Sequence, residues 1–172
     1  MENKEGLIWY DGNLVDWKDA KLHVLTHGLH YASSVFEGER SYSGRIFKLH
    51  EHTERLLYSA SELDFEIPYS IDEIKQASYL TLEKNNLVDA YIRPIAWRGA
   101  ETVGVSAQNT KIHFAIAVWE WPSYFSPEDK LKGIRLTVSN WKRPSPDTIP
   151  CKAKAAGLYT VSYTHLTLPT NT

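Results

Sequence analysis

The segment Pro150-Cys151-Lys152-Ala153-Lys154-Ala155-Ala156-Gly157-Leu158-Tyr159 sets two lysines among small residues. Ala155, Ala156 and Gly157 leave room for a flat ring to approach the backbone. A desolvated lysine at such a place loses its proton more readily and can attack an aldehyde carbon. Spacing does not choose between Lys152 and Lys154, and a plain basic turn is the alternative for both. The segment Ala90-Tyr91-Ile92-Arg93-Pro94 carries a second chemistry. In a strand Tyr91 and Arg93 share one face, and a phenol beside a guanidinium fork grips a carboxylate. The alternative is a solvated face with Arg93 paired to a surface acid.

His23, His27 and His30 stand at i, i+4 and i+7 and on a helix would share a metal-binding face. Gly28 weakens a helix there, so hydrogen-bonding or capping roles suit them better and no metal is expected. Cys151, the only cysteine, reads as a small packed side chain.

These residues need elements to position them. Leu7 to Val15 reads as a hairpin turning at Asp11-Gly12, and Val35 to Leu49 as a second turning at Ser43-Gly44. His50 to Leu63 is a helix with Leu56, Ala60 and Leu63 on one stripe. Ser70 and Glu73 form a capping box, with Tyr69 and Ile74 as its staple, for a helix running to about Lys84. It stops near Asn85-Asn86.

Strands are expected at Ala90 to Trp97, Lys111 to Trp121 and Ile134 to Trp141. Pro94 cannot donate to a ladder, which puts its strand at an edge or a bulge. On the second strand Ile112, Phe114, Ile116 and Val118 form a bulky face. Ala115 and Ala117 leave a gap on the other face, for which a packed helix is the expected filler. Together the elements make an α+β first domain.

Composition sets the class. The 172 residues are 42% hydrophobic and 23% charged, with a net charge of -2, as in a soluble globular protein. With no basic excess, neither nucleic acid nor a membrane surface is an expected partner. The N-terminus lacks an apolar signal core, and a cytoplasmic location is expected. Phosphate-cradling, dinucleotide-binding, serine-elbow and His-Glu-x-x-His motifs are absent from the sequence.

Six stretches then fall in one order: His27-Gly-Leu-His-Tyr31, Val35-Phe-Glu-Gly38 with Arg40, His52-Thr-Glu-Arg55-Leu56, Tyr91-Ile-Arg93-Pro94, Trp119-Glu-Trp121 and Lys154-Ala-Ala-Gly157-Leu-Tyr159. From Leu7 to about Tyr159 the chain resembles the class IV aminotransferases of pyridoxal-phosphate fold type IV, and within them the branched-chain amino-acid group. The resemblance implies a fold: the small mixed α/β N-terminal domain over residues 1–125, then a linker and the first strands of the cofactor domain over 126–162. Residues 163–172 fall outside the family pattern and are open to three readings, an edge strand, a disordered tail or foreign sequence.

The resemblance also implies roles. Lys154 is the lysine that bonds pyridoxal 5'-phosphate and moves the proton between Cα and C4′. Arg55 holds the cofactor phosphate, and Tyr159 its phenolic oxygen. Tyr31, Phe36 and Trp121 form the wall for leucine, isoleucine or valine, while Tyr91 and Arg93 form a polar edge for glutamate and 2-oxoglutarate. D-amino-acid aminotransferases and aminodeoxychorismate lyases are the related alternatives, and a non-catalytic binding or interaction fragment is the alternative of another kind. The family chain is about twice as long and forms at least a dimer, so this chain alone is expected to be inactive.

Overall fold

The computed structural model describes residues 4–121, 126–133 and 138–160. The chain opens with the hairpin β1 (Leu7–Tyr10) and β2 (Asn13–Asp16), turning at Asp11 and Gly12, both of positive φ. A short helix α1 (His27–Tyr31) leads to β3 (Ser34–Phe36), β4 (Glu39–Tyr42) and β5 (Arg45–Ile46). Two longer helices follow, α2 (Leu49–Ser61) and α3 (Ile71–Lys84), then the long strands β6 (Ala90–Arg98) and β7 (Ile112–Trp119). Helix α4 (Pro127–Lys132) and two single helical turns, Trp17–Asp19 and Ala156–Tyr159, complete the described elements.

The strands form one antiparallel sheet in the order β2-β1-β7-β6-β4-β5, with β3 also on β6. This mixed α+β architecture is the expected one. The Ser70 hydroxyl accepts from Glu73 N–H, and the Glu73 carboxylate accepts from Ser70 N–H at 2.8 Å, so the capping box is complete. Its neighbour Ile74 is buried, with Tyr69 packed against the same core.

Helices α2 and α3 cover one face of the sheet. Leu56, Ala60, Ile74, Ala77 and Leu82 meet Trp9, Val35, Ile92, Phe114, Ile116 and Val118 there. Burying these side chains is the main stabilising contribution, on the order of 1.5–3 kcal/mol for each large one. The opposite face behaves differently from expectation. The gap over Ala115 is filled by Ile8 and Trp97, with Tyr10, Val15 and Trp17 packed around them, and not by a helix. The aromatic rings of the first hairpin and of β6 supply the volume that a helix was expected to supply.

Two further differences have local causes. The first arm of the second hairpin is broken into β3 and β4 at Glu37-Gly38. A Cβ on Gly38 would overlap the Tyr91 hydroxyl, so a glycine is needed where that ring crosses the backbone. Strand β6, expected to lie at an edge or to carry a bulge at Pro94, is an inner strand with β7 on one side and β3 and β4 on the other. Pro94 lies opposite the break, where its carbonyl accepts from Glu37 N–H at 2.9 Å. In an antiparallel strand a residue's N and C=O point the same way. The donor that proline lacks therefore faces the gap and not a ladder. Of the expected strand Ile134 to Trp141, residues 134–137 lie outside the described residues and residues 138–141 are not in a strand; the expected tail 163–172 lies outside the described residues.

Candidate active site

The sheet face away from the helices carries Phe36 from β3, Arg40 from β4, and Tyr91 and Arg93 from β6. Register sets this: Arg40 pairs with Tyr91, and Phe36 with Ile95. Arg93 Nη2 donates to the Tyr91 hydroxyl at 2.9 Å, and its guanidinium lies 4.8 Å from the Phe36 ring centre. Tyr91 is 4.9 Å from both the Trp119 and the Trp121 rings. Arg40 Nη2 donates to the Trp121 carbonyl at 3.4 Å. Nε of Arg40, Nε of Arg93 and Nε1 of Trp119 are buried with no partner among the described residues. An orphaned buried donor is costly, and three of them on one face make that face suited to accepting an anion.

Lys154 comes to this face from the far end of the chain. Its backbone is fixed on both sides: its N–H donates to Ser59 Oγ at 2.9 Å, and its carbonyl accepts from Phe36 N–H at 3.1 Å. Val35 and Ala155 form a β-bridge beside it. The side chain is thereby directed over the Phe36 ring, 4.7 Å from its centre, and Nζ donates to the Tyr159 hydroxyl at 2.7 Å. The Tyr159 ring in turn lies 5.0 Å from Phe36. Lys152, which spacing alone leaves in play, is exposed. Gly157 lies against Ala32, whose Cβ is 3.1 Å from an added Cβ.

Arg55 stands one helical turn before Ser59 on α2, so both project from the same face of the helix. Its Nε and Nη2 donate to the two oxygens of Glu37 at 2.6 and 2.8 Å. Glu37 is completely buried, whereas the Arg55 side chain is 49% exposed. His52 Nδ1 reaches Glu37 as well, at 2.9 Å. Burial alone would raise the Glu37 carboxyl, but the bonds and charges of Arg55 and His52 hold it below the usual value. The bond to Glu37 in turn raises Arg55.

Glu39, also buried, has no such partner. Burial first, and then the charge of Glu37, push its carboxyl up to about 8, so it is protonated at neutral pH.

Of the residues singled out from the sequence, Phe36, Tyr91, Arg93, Trp121, Lys154 and Tyr159 form one connected group. Arg55 joins it through α2 and the field of the Tyr159 phenol. Tyr31 stands apart, 48% exposed on α1 and in ring contact with His27 and His30. The three histidines do not share a helix: α1 begins at His27, and His23 precedes it. His27 bonds Ser33 Oγ and the Val105 carbonyl, while His30 bonds the Val24 carbonyl.

Sequence reasoning missed Ser59, Glu39 and the use of Glu37 and His52. The spacing of Ser59 four residues after Arg55 was the available signal for the first. The burial of Glu39 had none, since its neighbours come from distant strands.

Comparison with known proteins gives this geometry its context. The family pattern described as Amino-transferase class IV matches residues 34–167. The chain belongs to this family. It is 44% identical over 163 residues to a branched-chain-amino-acid aminotransferase of Pseudomonas aeruginosa, covering 92% of this chain and 53% of that protein. Among solved structures it is similar to the branched-chain aminotransferase of the thermophilic archaeon Thermoproteus uzoniensis with norvaline. That match has a TM-score of 0.85 at 34% identity, over 94% of this chain and 55% of the other. A T.th. branched-chain amino acid aminotransferase with pyridoxamine 5'-phosphate matches with a TM-score of 0.87 at 41% identity, over 92% and 54% of the two chains. The class IV chain thus spans about half the length of the relatives it matches.

Proposed function

We propose that this chain is the N-terminal part of a cytoplasmic, pyridoxal-phosphate-dependent transaminase. The enzyme exchanges amino groups between leucine, isoleucine or valine and 2-oxoglutarate. One observation carries the reading: the Lys154 amine, held by Tyr159, and the Arg93 guanidinium, whose Nε has no partner among the described residues, lie 4.7 and 4.8 Å from the centre of the same Phe36 ring. The donor set fits the cofactor, with an amine for its aldehyde, the Arg55 guanidinium for its phosphate and the Tyr159 phenol for its ring oxygen. The bound cofactor supplies an electron sink for a carbanion at the substrate Cα.

The chain's own residues do the rest. Ser59 and Phe36 fix the Lys154 backbone, so the amine returns to the same place each time it gives or takes a proton at Cα. Tyr159 positions Nζ through its hydroxyl. Glu37 orients Arg55 and neutralises its charge in part, and Gly38 lets the Tyr91 ring lie across the strand. Phe36 and Trp121, with Tyr31 brought in from α1, form the apolar wall for branched side chains. Arg93, steadied by Tyr91, takes the side-chain carboxylate of glutamate.

Residues 1–125 form the small domain in this reading, and 126–162 begin the cofactor domain. The protein works as a homo-oligomer at the length of its relatives, and the 172-residue chain alone is inactive in the transfer. Among the described residues no helix is long and apolar enough to cross a membrane.

The test uses protein expressed from the parent gene read past Tyr159. It should transfer the amino group of leucine to 2-oxoglutarate. Arg93→Ala should lower kcat/KM for glutamate about 10- to 100-fold more than for leucine, the size of one lost charged hydrogen bond. Equal losses for both substrates would remove Arg93 from side-chain recognition. No transfer by the longer protein would refute the assignment.

A further inference from the structure

On the same face as Arg93, but at the other end of β7, His113 stands between two carboxylates. Its Nδ1 meets Asp11 Oδ2 at 2.5 Å and its Nε2 meets Glu101 Oε1 at 3.0 Å. Asp11 belongs to the β1–β2 turn and Glu101 to the 99–111 loop, so one imidazole joins three parts of the chain. Both acids are held from behind, as Asp11 Oδ1 accepts from Phe114 N–H at 2.8 Å and Glu101 Oε2 accepts from Lys111 N–H at 2.9 Å. The ring stacks on Trp97 at 5.6 Å.

Gly99 makes the crossing possible. A Cβ there would lie 2.5 to 2.6 Å from the Glu101 carboxylate and from His113 Nε2.

The loop so held reaches the Tyr31 region. His27 bonds the Val105 carbonyl at 3.2 Å, and Thr102, Val103 and Gly104 enclose a small cavity with Leu25, His27, His30 and Tyr31. Arg98 ties down the loop's other half through the Ala107 carbonyl and Thr110 Oγ1. Gly99 is held by backbone bonds to Lys111 and His27, and beyond it the first half hangs on Glu101 and the His27 ring.

We propose that Asp11, His113 and Glu101 form a proton-operated strap that holds the 99–111 loop against α1 and releases it at Glu101 when His113 loses its proton. The protonated ring donates from both nitrogens, one to each carboxylate. The neutral ring has a single N–H. It stays on Asp11, where the bond is the shorter of the two, so the lone pair of Nε2 then faces the Glu101 carboxylate and repels it.

The groups facing the ring are acidic or neutral. Asp11 and Glu101 are the charges, the Tyr10 phenol lies beside the ring and is itself raised by burial and by those two acids, and Trp97 carries no charge. Burial pulls His113 down, but its bonds to Glu101 and Asp11 outweigh this and raise it above the ordinary histidine value. The strap's contribution is therefore complete below the unfolded-state value and is lost as pH rises through the higher folded one. The strap itself does not depend on the transaminase reading; only its consequence for a substrate wall at Tyr31 does.

The test is hydrogen–deuterium exchange on the 172-residue chain between pH 6 and 9, corrected for intrinsic rates, with the His113 ring followed by NMR. Exchange in 100–106 should rise about tenfold as the ring titrates, while 74–82 in α3 stays level. In Glu101→Gln the amide oxygen keeps the Lys111 N–H and the NH2 donates to the neutral ring, so loss of the His113 proton no longer drives the side chain away. The rise of exchange in 100–106 with pH should then be absent. A ring that titrates without any change in 100–106, a ring that does not titrate in this range, or an unchanged pH response in Glu101→Gln would each overturn the strap.

Discussion

The two faces of the sheet are made by alternate residues of the same strands, yet they treat polar groups in opposite ways. Beneath α2 and α3, Ile92, Phe114, Ile116 and Val118 are sealed in an apolar core, and Glu37 enters that region with its charge matched by Arg55 and His52. On the other face Arg40, Arg93 and Trp119 keep buried donors with no partner among the described residues. The covered face is built for stability, and its polar exceptions are internally answered or, at Glu39, neutralised by taking up a proton. The open face leaves its polar groups to be answered by something bound. A period of two along β6 and β7 thus separates what holds the fold from what does its chemistry.

This contrast can be broken most forcefully at Phe114. Phe114→Ala should cost about 3–5 kcal/mol, read as a lower midpoint in urea unfolding, because a fully buried ring leaves a cavity under α3. Glu39→Gln should act with intermediate size and in the stabilising direction. The folded carboxyl, raised to about 8, keeps its proton while the unfolded one has lost it. Wild-type stability accordingly falls as pH rises from about 4.5 through 8, where the buried charge has to form or the fold has to keep the proton. Glu39→Gln should remove that slope and gain on the order of a few kcal/mol at pH 8, with little difference at pH 4. Identical pH profiles for the two proteins would mean that Glu39 is ionised in the fold. The smallest effect is expected on the open face, where Arg93→Ala should change stability by less than about 1 kcal/mol. A loss as large as that of Phe114→Ala would erase the distinction between the faces.

Much of this arrangement is legible locally. Asp11-Gly12, Ser43-Gly44 and the Ser70–Glu73 box act within four residues, and the structure has each where the sequence indicates. Strands β6 and β7 announce themselves by alternation, and that alternation also puts Tyr91 beside Arg93. What local pattern misses is set by pairing across long separations. Pro94 sits in an inner strand because β3 and β4 part opposite it, and nothing within β6 reports that break. The gap over Ala115 is visible, but its filler comes from the first hairpin. The contacts of His113 with Asp11 and Glu101 join residues 102 and 12 positions away, and no periodicity signals them. Spacing leaves Lys152 and Lys154 undivided; the Ser59 and Phe36 bonds to one backbone, contributed by distant elements, are what separate them.

That separation is the centre of the account, and one measurement addresses it directly. The 172-residue chain is incubated with pyridoxal 5'-phosphate, reduced with borohydride, digested and mapped by mass spectrometry. The account predicts a single dominant label on Lys154, lowered by Ser59→Ala, which frees the lysine backbone. A dominant label on Lys152, or a label spread evenly over the exposed lysines, would contradict it.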